Sequence, residues 1–124
     1  MEINKPEVRA EVEREFMRYE KALTGNDVVE LDALFWHSPH TVRLGASEHL
    51  YGFEAIQAFR AARPSQGLDR HMLKTQITTF GDSAATTHLE FQRIGSDKIG
   101  RQTQTWVRMP EGWRVVSAHV SMLA

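Results

Sequence analysis

The chain has 124 residues, 41% hydrophobic and 25% charged, with a formal net charge of -1. That length fits a single domain over residues 1–124 with its own core. The charge balance excludes the basic surplus that a nucleic-acid phosphate backbone demands. The absence of cysteine excludes disulfides, zinc thiolates and a cysteine nucleophile. The N-terminus mixes charges without an apolar segment, and no stretch approaches the roughly 20 apolar residues of a membrane span. A cytoplasmic protein with neither membrane nor nucleic-acid partners is therefore expected.

The first element is a helix over residues 6–25. Pro6 suits a first turn and Gly25 a C-terminal cap. Val8, Val12, Phe16, Tyr19 and Leu23 form one apolar stripe. Asn26-Asp27 then caps a short helix from Val28 to Trp36, with Leu31, Leu34 and Phe35 facing inward. Ser38-Pro39 ends it, because a residue before proline avoids helical geometry. Thr41 to Leu44 alternates as a strand, and Glu48 to Tyr51 returns as another. Gly52 opens a third helix, Phe53 to Arg63, which Pro64 stops. Four β-rich runs follow: His71 to Phe80, Ala84 to Ile94, Arg101 to Met109 and Trp113 to Met122. Gly81-Asp82, Gly95-Ser96-Asp97 and Pro110-Glu111-Gly112 separate them. Helices first and a long antiparallel meander afterwards is an α+β pattern. A curved sheet of this kind wraps the first helix as a cone, with Tyr19 along its axis.

Tyr19 shares the apolar stripe, so its hydroxyl needs a partner: either a backbone carbonyl, as in an ordinary core tyrosine, or a reacting group to which it passes a proton. Arg43 shares a strand face with Thr41 and Gly45, opposite Val42 and Leu44. A guanidinium between small residues suits two-pronged binding of a carboxylate, although a solvent-facing strand arginine is the commoner case. Arg63 follows Ile56 and Phe59 at helical spacing and leans toward the core or caps the helix end. The last strand puts Trp113, Val115, Ser117, His119 and Ser121 on one face. The strand before it aligns Gln102, Gln104, Trp106 and Arg108. Amides, hydroxyls and imidazole mixed with aromatics fit a polar pocket with apolar walls, or a subunit interface. The six histidines include no HExxH and no helical i, i+4 pair, so no metal site is expected. Glycine-rich phosphate loops and a GxSxG elbow are also missing.

Several segments carry a resemblance over nearly the whole chain. They are Arg18-Tyr19-Glu20-Lys21-Ala22-Leu23, Ala33-Leu34-Phe35-Trp36, Ser38-Pro39-His40-Thr41-Val42-Arg43, Leu50-Tyr51-Gly52, Phe59-Arg60-Ala61-Ala62-Arg63-Pro64, and the last two strands from Gly100 and Gly112. Together they resemble the AtzH-like branch of the nuclear transport factor 2-like superfamily. The resemblance implies a cone of three N-terminal helices on a curved antiparallel sheet, dimerising through that sheet. It implies breakdown of nitrogen compounds of the cyanuric acid or oxalurate type, beside an amidase-signature hydrolase. The activity implied is decarboxylating conversion of 1,3-dicarboxyurea to allophanate, without cofactor. The family's catalytic tyrosine and arginine fall on Tyr19 and Arg43. Trp36, Arg63, Gln104, Ser117 and His119 are expected to bind the small anionic substrate. Two other readings stay open. One is a non-catalytic accessory subunit of the amidase. The other is an isomerase or cyclase, which would need Glu90 or His119 facing inward as a base.

Overall fold

The computed structural model describes residues 1–124. Three helices, α1 (Pro6–Thr24), α2 (Val28–Leu34) and α3 (Phe53–Ala62), accompany six strands. The strands are β1 (Val42–Leu44), β2 (His49–Tyr51), β3 (Arg70–Phe80), β4 (Ala84–Arg93), β5 (Gly100–Met109) and β6 (Gly112–Met122). They form one curved, unclosed sheet in the order β2-β1-β6-β5-β4-β3. Two helices precede the first strand, and the third follows the β1–β2 hairpin. The sheet is mixed, not purely antiparallel as expected. β1 runs parallel to β6, with Val42 opposite Ser117 and Leu44 opposite His119. A parallel neighbour requires a long connection, and everything between β1 and β6 supplies it.

The α1 stripe packs as its spacing dictates. Val8, Val12, Phe16, Tyr19 and Leu23 are all buried, and Glu20 is buried among them. Each large apolar side chain so buried contributes about 1.5–3 kcal/mol. Pro6 occupies the first turn, where its missing N–H costs nothing. Gly25 keeps right-handed geometry at φ -88, and Asn26 takes the left-handed position at φ 50. Asp27 caps α2 by accepting the Glu30 amide at 3.2 Å. α2 stops at Leu34, two residues earlier than its apolar pattern implies. Phe35 turns extended and bridges Val115, and the Trp36 amide donates to the Val115 carbonyl at 3.0 Å. A sheet hydrogen bond thus replaces another half-turn of helix. Gly52 starts α3 at φ 89, in the left-handed region that glycine enters freely.

The core is one cluster drawn from helices and sheet, with Trp106, Phe16, Phe35 and Phe91 among its largest members. A short polar chain runs through it. Trp106 Nε1 donates to Thr87 Oγ1 at 3.2 Å, and Thr87 Oγ1 meets Gln104 Oε1 at 3.3 Å. In β6 the face assignment changes partway. The β5–β6 register shifts at Thr105/Trp106, where Thr105 faces Ser117 and Trp106 faces Val115. The extra residue, Val116, is a β-bulge that reverses the alternation. Trp113 and Val115 point inward before it; Ala118 and Val120 point inward after it.

Candidate active site

β1 carries the first decisive residue. Thr41 and Arg43 are buried, whereas Val42 and Leu44 are only half-buried. The strand therefore turns its charged residue inward and its apolar pair outward, which is unusual and needs compensation for the buried charge. Glu48, in the turn to β2, supplies part of it: Arg43 Nη1 donates to Glu48 Oε1 at 2.9 Å.

Arg43 and Tyr19 line the same cavity. Its other walls are Leu23, Arg63, Leu68, Arg70, Arg93, Gln102 and Val120. The cavity is small: about 20 Å³ is open to the centre of a water molecule, enough for one. A larger ligand enters only as a wall residue moves. Tyr19 is 4% exposed and lies 6.2 Å from the Phe35 ring, centroid to centroid. None of the hydrogen bonds that fix the cavity walls uses its hydroxyl.

Four guanidinium groups face this space, and two have carboxylate partners. Arg43 has Glu48, and Arg70 has Glu20 through bonds of 2.9 and 2.7 Å. Arg70 Nη2 also donates to Gln102 Oε1 at 3.0 Å, while Gln102 Nε2 is buried without a partner. Arg63 has no acid: its Nε and Nη2 are buried and unpaired, and its guanidinium lies 5.9 Å from the Phe59 ring. Burial and the adjacent Arg43 push Arg63 down from the ordinary arginine range, with Tyr19 opposing. Beneath the cavity, Arg60 stacks 4.1 Å from the Phe35 ring and donates to Asp32 at 3.0 Å. A site of this composition favours small anions. It holds no carboxylate base and no imidazole on its walls.

The expected binding residues divide. Arg63 lines the cavity with Tyr19 and Arg43. Gln104 is fully buried, but it belongs to the Thr87–Trp106 chain in the core rather than to the cavity wall. Trp36 is half-buried, stacks on His40 at 6.2 Å and is no part of the cavity. Ser117 and His119 are exposed on the opposite face of the sheet, because the Val116 bulge flips the second half of β6. Glu90 is exposed as well. Arg70 and Arg93 are wall residues absent from the sequence expectations, and Gln102, aligned on the polar β5 face but not among the expected binding residues, joins them. Arg70 had a signal: Glu20 continues the Val8, Val12, Phe16 spacing, and an acid on a buried stripe calls for a cation. Gln102 shares the inward face of β5 with Gln104. Arg93 has no comparable signal. No three His, Asp or Glu side chains gather closely enough to hold a metal ion. No helix is long and apolar enough to cross a membrane.

The comparison with known families decides the relationship, since the AtzH-like family model matches residues 1–124. The chain belongs to the AtzH-like family. Solved structures similar to the chain show its fold. A protein of unknown function from Pectobacterium atrosepticum is 61% identical, with a TM-score of 0.97, over 98% of this chain and 95% of its own. A cystatin-like fold protein from Burkholderia xenovorans is 44% identical, with a TM-score of 0.96, over 100% and 98%. A nuclear transport factor 2-like superfamily protein from Salmonella enterica, 24% identical at a TM-score of 0.76 over 95% and 92%, shares the fold. No curated protein matches the chain. The AtzH-like chain thus has the nuclear transport factor 2-like, cystatin-like architecture, with its helices and curved sheet enclosing an arginine-rich cavity.

Proposed function

We propose that this AtzH-like protein is a decarboxylating amidohydrolase that converts 1,3-dicarboxyurea to allophanate, using no metal or cofactor. The observation that carries the reading is the shared cavity: one phenol, Tyr19, among four guanidinium groups, with no carboxylate or imidazole on the walls. In this reading Arg43 and the unpaired Arg63 hold the substrate carboxylates. Arginine is suited to this, since its planar fork matches a carboxylate. As the C–N bond to one N-carboxy group breaks, its electron pair stays on nitrogen and takes the Tyr19 proton. Carbon dioxide leaves, allophanate remains, and water reprotonates the phenol. The surrounding cations stabilise the charge left on the phenol oxygen.

The isomerase or cyclase reading loses support, because Glu90 and His119 are exposed on the outer face. An accessory role beside an amidase-signature hydrolase is the remaining alternative, and a homodimer built on the outer sheet face belongs to the proposed assembly. The test is direct. The purified protein is given freshly generated 1,3-dicarboxyurea, and allophanate is measured as product. Release no faster than the spontaneous rate, with or without the amidase, would rule the enzyme reading out. Acceleration of the amidase alone would select the accessory role.

A further inference from the structure

The turn between β1 and β2 is built around one carboxylate. Glu48 Oε1 accepts from Arg43 Nη1 at 2.9 Å, and Oε2 accepts from the Ser47 hydroxyl at 2.8 Å and the Ser47 amide at 3.3 Å. Gly45 makes room for it: a Cβ at that position would overlap the Glu48 carboxylate. Arg43 and Glu48 side chains are 10% and 20% exposed, so water screens their attraction only in part. Burial works against the Glu48 charge. The bonds from Ser47 and Arg43 outweigh it and hold this carboxyl below its usual range. Arg63, by contrast, faces the same cavity with no acid at all. Of these two guanidinium groups on the cavity wall, one is neutralised by design of the local chain and one is not.

We infer that Glu48 is a positioning residue and resident counter-ion for Arg43, which fixes the guanidinium and holds down its affinity for anions so that the anionic product leaves. The inference rests on the reading of Arg43 as the substrate anchor. Nη1 is committed to Glu48, which leaves Nε and Nη2 for a ligand carboxylate. A permanent negative charge on the far edge weakens the pull of Arg43 on any anion. The substrate carries two charges and the product one, so a weakened Arg43 favours release of the product.

Glu48→Gln keeps the shape and an acceptor oxygen while removing the charge. Malonate serves as an inert small dianion, measured by calorimetry. The variant is expected to bind malonate roughly threefold to tenfold more tightly than the parent, the scale of losing one partly exposed charge neighbour. KM and kcat for 1,3-dicarboxyurea are expected to fall together. Gly45→Ala, which pushes the carboxylate aside, should shift both in the same direction. A purely structural role for Glu48 would weaken malonate binding and lower the melting temperature. Malonate affinity unchanged or weaker in Glu48→Gln overturns the inference. So does a failure of both the parent and Glu48→Gln to bind malonate, because Arg43 is then no anion site. A parent that binds malonate but leaves 1,3-dicarboxyurea intact removes the proposed function alone, and the malonate comparison still decides the role of Glu48.

Discussion

Arg70 on β3 and Glu20 on α1 lie 50 residues apart in the chain and meet through two hydrogen bonds inside the protein, with side chains only 3% and 8% exposed. The pair ties the first helix to the far edge of the sheet and holds Arg70 in the cavity wall. The Phe91 ring lies 4.3 Å from the Arg70 guanidinium and covers it. A buried pair of this kind adds little over an apolar replacement, yet breaking it leaves one charge stranded.

Glu20→Gln should therefore destabilise the fold by about 3–5 kcal/mol. The double variant Glu20→Leu with Arg70→Met should lose much less than the two single changes combined. Denaturant unfolding of Glu20→Gln, of Glu20→Leu and Arg70→Met singly, and of the double variant provides the comparison. A double variant that loses as much as the two single changes added together would mean that the pair is not energetically coupled.

A second prediction concerns Gly100, which faces Phe91 across the β4–β5 ladder. A methyl group at Gly100 would run into the Phe91 ring. Gly100→Ala should cost about 1–3 kcal/mol through overpacking. Adding Phe91→Leu should recover part of that loss, because the smaller side chain vacates the space. Thermal melts of the single and double variants will show whether the two positions couple.

Acid stability follows from Glu11. Its carboxylate accepts from Trp113 Nε1 at 2.9 Å and also pairs with Arg108. The Trp113 bond first, then Arg108, hold it below the usual carboxylate range of about 4.5. A carboxyl depressed in the folded state stabilises above its unfolded value, and the contribution disappears as pH falls through the folded value. Glu48 is shifted in the same direction. Stability from both groups should be constant near neutrality and decline below about pH 4.5. Glu11 is more than one-third exposed, so its share is at most about 1 kcal/mol. Urea titrations at pH 7 and pH 3.5 should show a smaller difference for Glu11→Gln than for the parent.

At the site itself, Tyr19→Phe keeps the ring against Phe35 and removes only the hydroxyl. Turnover should drop by about 10²–10⁴, the usual loss for a positioned proton donor. The melting temperature should change little, since no wall hydrogen bond uses that hydroxyl. Arg43→Lys should restore little activity, because an ammonium cannot present the fork while also holding Glu48. Steady-state kinetics alongside melts separate these effects. A Tyr19→Phe protein with parental turnover would make Tyr19 a core residue.

Much of this arrangement was legible in the chain. The α1 spacing alone buries Tyr19, because residues three and four apart share a helix face. Alternation in β1 puts Arg43 opposite Val42 and Leu44 whichever way the strand turns. The long strands begin and end within a residue or two of their turn signals. Local periodicity could not decide which β1 face is the inner one; the parallel seat of β1 beside β6 and the Glu48 counter-ion did. Nor could it foresee that β6 changes phase at Val116. That bulge is a property of the β5–β6 register, and it moves Ser117 and His119 to the outside although they alternate perfectly with Val115 in sequence. The convergence of Arg63, Arg70 and Arg93 on one cavity also depends on contacts between distant segments. Side-chain direction within an element repeats every two or 3.6 residues and is written in the neighbouring sequence. Which faces meet is set by pairing register and by burial over the whole sheet, and only the folded chain fixes those.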